Sequence, residues 1–434
     1  MTQLTRRRFL SHGAAGVGAL AAGSLAGGSL WTTRLAFGAP GSGADGRVVF
    51  IIMRGALDGL CAVPPYGDSA YTSLRGALAV PPPGAAGGGL KLDNLFALHP
   101  SLAFMHECFA GGELAVLHAV ATPYRERSHF DGQDVLESGI ARPHASESGW
   151  LNRALALKDT QSARLGIALG ANVPLVMRGP AEVASWSPSK LASLSEDTLQ
   201  RVADLYSTDA VLSQRLADAL ASDAIVAGGQ SDQDGMMAAP APASTSTAAS
   251  AGDQAAAAQR GGAARYVETV RAMASFLRRD DGPRVAVMET TGWDTHANEG
   301  GAQGQLAQRL AALDAGLREF RAALGPAWRN TAVLLATEFG RTAATNGTRG
   351  TDHGTGSAAF VVGGAVAGGR VVADWPGLGS GSLYEGRDLK PTLDLRSPMK
   401  ELLHSQLGLS DRELNAVVFP DSNSARRLEG LIRA

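Results

Sequence analysis

A mostly parallel α/β sheet with helices on both faces is the fold class predicted by three features of this 434-residue chain. Short unbroken apolar runs recur, such as Arg47 to Met53 (RVVFIIM), Leu114 to Val120 (LAVLHAV) and Thr331 to Ala336 (TAVLLA). Runs without polar alternation belong to strands buried on both faces. Amphipathic helical stretches lie between strands, and strand–helix–strand order indicates βαβ units. Polar and glycine clusters follow the runs, and open α/β sheets bind ligands outside the carboxyl ends of their strands.

In chain order, Arg47 to Met53 is the first core strand and leads into RGALDG, a glycine-rich turn whose Asp58 reads equally as a helix cap or a ligand. Val80 to Gly89 (VPPPGAAGGG) is a surface loop, Leu102 to Phe109 a helix, and Leu114 to Val120 a strand in which His118 is a core histidine. The turn Thr122 to Asp131 carries Arg127, Ser128 and His129. A helix is expected from Ser128 to Ser138, with Ser128 either its N-cap or a nucleophile at an anion-attracting helix start. Residues 150–225 read as helices and loops, including Glu196 to Tyr206 and Ala210 to Leu220. Gly228 to Ala264 is low-complexity and reads as a disordered insert in one domain.

After it come a helix at Tyr266 to Arg279 and a strand at Arg284 to Met288, followed by ETTGWDTH. Asp294 and His296, two residues apart past a strand end, suit a carboxylate–imidazole metal pair. A helix at Leu306 to Leu324 returns the chain to Thr331. The loop beyond Ala336 holds Glu338, Arg341, Asp352 and His353, and Ala358 to Val362 is the next buried strand. The chemistry is expected on that loop. A last helix runs from Pro398 to Leu407.

The formal charge of −2 argues against a general polyanion binder, and no nucleic-acid partner is expected. Cys61 and Cys108 form no CxxC pair and read as two buried free thiols, with a disulfide between them as the alternative. Thr5 to Leu10 (TRRRFL), followed by a weakly apolar Ala/Gly stretch, is a twin-arginine signal over residues 1–39. Residues 40–434 are then a single exported domain, periplasmic or secreted, with no transmembrane anchor in the mature chain.

The motifs RGALDGL, RSHFDGQDVLESG, GWDTH, TEFGRT and GTDHG resemble the DUF1501 family, whose members look like distant relatives of the alkaline phosphatase and sulfatase superfamily. The resemblance implies an alkaline-phosphatase-like fold and an exported metal-dependent hydrolase of phosphate or sulfate esters. It implies one or two divalent ions (Zn, Mg, Mn or Ca) on Asp58, Asp294, His296, Glu338, Asp352 and His353. Ser128 would be the nucleophile, with His129, Arg127 and Arg341 as further catalytic groups. Phe339 stands where the superfamily carries a metal-binding histidine, and His129 is the candidate substitute. The alternative is a noncatalytic exported protein that binds a ligand or another exported protein at a degenerate site.

Overall fold

The computed structural model describes residues 45–158, 165–188, 196–234 and 265–433. Its centre is β1 (Arg47–Arg54), flanked in parallel by β7 (Val285–Thr291) and β8 (Thr331–Ala336). The other strands of the sheet are β4 (Leu114–Ala121), β5 (Gly166–Leu169), β6 (Val183–Trp186), β9 (Ser357–Val362), β10 (Arg370–Val372) and β11 (Leu393–Asp394). The order is β10-β4-β9-β8-β1-β7-β5-β6, with β11 also pairing with β4. A separate small hairpin is formed by β2 (Leu90–Lys91) and β3 (Ala97–Leu98).

Both faces of the sheet are covered, and β1 shows why its sequence lacks alternation. Val49, Ile51 and Met53 enter one core with the long helix Gln305–Leu324, while Val48, Phe50 and Ile52 enter another with the helix Arg396–Leu407. Six fully buried side chains on one strand contribute on the order of 10 kcal/mol of transfer free energy. A strand facing water on one side would forfeit about half of that.

The mostly parallel sheet agrees with the sequence reading, with two corrections. First, β9 runs antiparallel to both β4 and β8, so the two strands around the polar loop are not parallel. Burial on both faces produces the same apolar run in either direction. The consequence favours a site: residues 337–356 join antiparallel neighbours and need no crossover helix, so the whole loop stays on one edge of the sheet. Second, residues 150–225 are not only helix and loop, because β5 and β6 extend the sheet beyond β7. The helix Ala210–Asp234 also continues past Gly228. Residues 1–44 and 235–264, which contain the expected signal and most of the expected insert, lie outside the described residues. Among the described residues no helix is long and apolar enough to cross a membrane.

Other elements match expectation closely. The helix Ala103–Ala110, the loop at 80–89 and a helix over 265–277 are present. Cys61 and Cys108 are buried and free. His118 is fully buried, its Nε2 2.9 Å from the Val63 carbonyl oxygen, and burial pushes it down to about 4.

Candidate metal centre

His129 reaches the sheet edge through a turn that carries backbone strain. After β4 the chain passes Arg127 in the left-handed region, with φ 62°, a conformation costing a non-glycine residue roughly 1 kcal/mol. Ser128 follows in extended geometry as the N-cap of the helix His129–Ser138. The Ser128 hydroxyl makes no cap bond, while its backbone N–H donates to the Tyr124 hydroxyl at 3.1 Å. The strained turn aims the Arg127 carbonyl at His353, whose Nδ1 lies 2.9 Å away.

Three other segments meet it. Past β7 the chain presents Asp294 and His296. Gly55, at the end of β1, has φ 118°, and a Cβ there would lie 2.6 Å from the Asp294 backbone nitrogen, so glycine is required for this approach. The loop after β8 supplies Glu338, Arg341, Asp352 and His353.

Three imidazoles and one carboxylate converge. The Nε2 atoms of His129 and His353 are 2.9 Å apart, and those of His296 and His353 are 3.0 Å apart. Asp294 places Oδ1 3.0 Å from His296 Nε2 and 3.3 Å from His353 Nε2, and Oδ2 3.5 Å from His129 Nε2. His129, Asp294 and His353 each offer a donor atom within 4.8 Å of the others, the spacing of a group able to hold a metal ion.

The outer nitrogens explain the convergence. His129 Nδ1 is 2.8 Å from Glu338 Oε1, His353 Nδ1 faces the Arg127 carbonyl, and His296 Nδ1 is 3.3 Å from Asp352 Oδ1. An oxygen acceptor at each Nδ1 favours the neutral tautomer with its proton there, which turns an Nε2 lone pair inward. Lone pairs 3 Å apart repel unless a proton or cation lies among them. This donor set therefore fits a metal ion.

Glu338 is fully engaged behind His129. Its Oε1 also accepts from Gly55 N–H at 2.9 Å and from Gln133 Nε2 at 3.2 Å, and Oε2 accepts from the Thr337 hydroxyl at 2.9 Å. Burial pushes its carboxyl up, but the His129 hydrogen bond and the other donors outweigh this and hold it below the usual range. The same bond to Glu338 raises His129 above the usual imidazole range. Burial lowers His353, with the nearby His129 charge adding to it. Burial of Asp294 is outweighed by the Arg341 hydrogen bond and charge, which keep its carboxyl low.

The remaining sequence candidates are placed differently. The buried Arg341 guanidinium donates to Asp294 Oδ1 at 2.6 Å and to Thr351 through Nε and Nη2. Arg127 directs its guanidinium away, to Asp388 and Glu385. Asp352 is held by Asn346 and lies behind His296. Asp58 caps the short helix Gly59–Ala62 through the N–H groups of Leu60 and Cys61, and its other oxygen pairs with fully buried Arg75. Phe339 is buried and stacks on His129, with ring centroids 5.0 Å apart.

Sequence reasoning missed Gln133, Thr351, Arg75 and Glu299. Gln133 stands one helical turn after His129, a spacing that places both on one helix face and could have singled it out. No local pattern marks the others.

The family profile described as "Protein of unknown function (DUF1501)" matches residues 115–418, and the chain belongs to that family. No curated protein matches. One similar solved structure is the phosphonate monoester hydrolase of Agrobacterium radiobacter, at TM-score 0.34 and 10% identity, covering 75% of this chain and 70% of that one. Another is Ps i-CgsB in complex with k-i-k-neocarrahexaose, at TM-score 0.33 and 10% identity, covering 75% and 68%.

Proposed function

We propose that this DUF1501 member is an exported hydrolase of phosphate or sulfate esters that works with a divalent cation at the imidazole cluster. The observation that supports this most is the gathering of the His129 and His296 Nε2 atoms and the Asp294 carboxylate around His353 Nε2, beyond the strand ends. His129, His296, His353 and Asp294 would hold the cation. When bound, such an ion stabilises negative charge on ester oxygens and lowers the pKa of a nearby hydroxyl or water.

The chain's own residues supply the rest. Ser128 precedes His129 at a helix start, with its hydroxyl free of capping duty. Its oxygen would form the new bond to phosphorus or sulfur as the bond to the departing alcohol breaks. Water would then release the acid and regenerate the serine. Arg341, clamped by Thr351, fixes the Asp294 carboxylate against the imidazoles.

A second reading, a noncatalytic exported binding protein, has one observation in its favour. Arg341 is committed to Asp294 and Thr351, Arg127 to Asp388 and Glu385, and Arg54 to Glu137, Glu289 and Gln133. None of these three has its guanidinium free to grip a nonbridging oxygen. The test is hydrolysis of nitrophenyl phosphate mono- and diesters and nitrophenyl sulfate by metal-loaded protein. Ser128→Ala is expected to lose turnover and keep its metal. Unchanged turnover in that variant removes the nucleophile. No turnover by wild-type protein of confirmed metal content selects the binding protein.

A further inference from the structure

We propose that the cluster takes a single nitrogen-preferring cation of the Zn²⁺ class, four-coordinated by His129, His296, His353 and Asp294, rather than an oxygen-preferring Mg²⁺ or Ca²⁺ or a pair of ions. This rests on the metal part of the proposed function and adds the number and class of the ion.

Donor chemistry comes first. Three of the four converging atoms are imidazole nitrogens, and imidazole suits Zn²⁺ and its transition-metal neighbours, whereas Mg²⁺ and Ca²⁺ take oxygen ligands. Spacing agrees. Zn–N bonds of 2.0–2.1 Å generate a tetrahedron with edges of about 3.3 Å. The His353 Nε2 separations from His129, His296 and Asp294 Oδ1 are 2.9, 3.0 and 3.3 Å, Asp294 Oδ1 is 3.0 Å from His296 Nε2, and Asp294 Oδ2 is 3.5 Å from His129 Nε2.

The surroundings are those of a ligand set held ready. All three imidazoles have Nδ1 pinned by an oxygen: a carboxylate for His129 and His296, a main-chain carbonyl for His353. Such outer contacts orient metal-bound histidines and raise their basicity. With neutral imidazoles, three carboxylates (Asp294, Glu338, Asp352) and one guanidinium (Arg341) leave a formal charge of −2, which one dication cancels.

A second ion beside the first would need carboxylates that are already occupied. Glu338 accepts from Gly55, His129, Gln133 and Thr337, and Asp58 accepts from Leu60, Cys61 and Arg75. Each would have to give up charge-assisted bonds to become a ligand.

The test strips full-length protein of metal and dialyses it against Zn²⁺, Co²⁺, Mg²⁺ or Ca²⁺ separately. One equivalent of Zn²⁺ or Co²⁺ is expected to stay bound, with Mg²⁺ and Ca²⁺ at least 100-fold weaker. The Co²⁺ form should show the intense visible absorption of a four-coordinate site. His296 has a half-exposed side chain, so His296→Ala is expected to fold, to bind Zn²⁺ at least 100-fold more weakly and to lose that absorption. Two equivalents, Mg²⁺ or Ca²⁺ binding as tightly as Zn²⁺, or undiminished Zn²⁺ binding by His296→Ala would each overturn the proposal. One tightly bound Zn²⁺ without ester hydrolysis sinks the hydrolase and leaves this inference standing. Hydrolysis supported by two Mg²⁺ ions does the reverse.

Discussion

Two clusters of charged and titratable groups lie beyond the carboxyl ends of the strands, and they use the same residue types in opposite ways. At His129, His296, His353 and Asp294 the donors point at one another, and the compensating contacts sit on their outer sides. At Asp58, Arg75 and Glu299 the charged groups face one another, with main-chain N–H and C=O groups completing the bonds of Asp58 and Arg75. Asp58 and Arg75 are 1% and 0% exposed and form an ion pair, and Glu299 is 0% exposed. Two adjoining buried carboxyl groups cannot both ionise. The proton belongs on Glu299, because Asp58 has Arg75 and two N–H donors to stabilise its charge. Asp58 spends one oxygen on Arg75 and the other on two N–H groups, whereas the imidazoles spend only Nδ1 on outer partners and keep Nε2 turned toward one another.

The two clusters are also joined. Glu299 accepts from the Thr351 hydroxyl at 2.8 Å, Thr351 accepts from Arg341 Nε at 3.1 Å, and Arg341 holds Asp294. The sealed cluster thereby buttresses the open one, which separates their expected mutational effects.

The largest effect is expected from Arg75→Ala, which strands a buried carboxylate and should cost about 3–5 kcal/mol of stability in denaturant titrations. A loss below about 1 kcal/mol would mean that Asp58 is not charged in the folded state. Next comes Glu338→Gln. Replacing the carboxylate behind His129 should weaken cation binding about 10- to 100-fold in chelator competition, with little change in melting temperature of the metal-free protein. Unaltered affinity would remove Glu338 from the support of the site.

A smaller, pH-dependent effect is expected at Glu299. Burial, with Asp58 adding to it, pushes its carboxyl from 4.5 to about 9. The folded state therefore keeps a proton that the unfolded state releases from about pH 4.5 upward. This contribution is full below about pH 4.5 and is lost as pH rises towards about 9. Glu299→Gln should flatten that decline, so its denaturation midpoints at about pH 5 and about pH 9 should differ less than those of wild type. An equal or steeper decline would place the proton elsewhere. The smallest effect is expected at Phe130, next to His129 but 85% exposed: Phe130→Ser should leave stability within about 0.5 kcal/mol and metal content unchanged.

The sheet's inner strands were legible because burial on both faces leaves unbroken apolar runs such as Val48 to Met53. The direction of β9 was not, since strand polarity leaves no mark on such a run. The four-residue strands β5 and β6 were too short to stand out among the surrounding helices. Asp294, His296 and His353 were readable from their places past strand ends. The placement of His129 among them was harder to see, because it depends on the strained Arg127 turn and on Glu338 taking the outer nitrogen. Arg75 was invisible, because its ion pair with Asp58 spans 17 residues and follows no helical or strand spacing.

The measurement that tests the comparison most directly is metal stoichiometry by elemental analysis of Zn²⁺-loaded full-length protein, with Asp58→Asn and His353→Ala alongside and folding checked by circular dichroism. One equivalent is expected in the wild type, one in Asp58→Asn and none in His353→Ala. Two equivalents in the wild type, falling to one in Asp58→Asn, would show that Asp58 is a ligand and contradict the comparison.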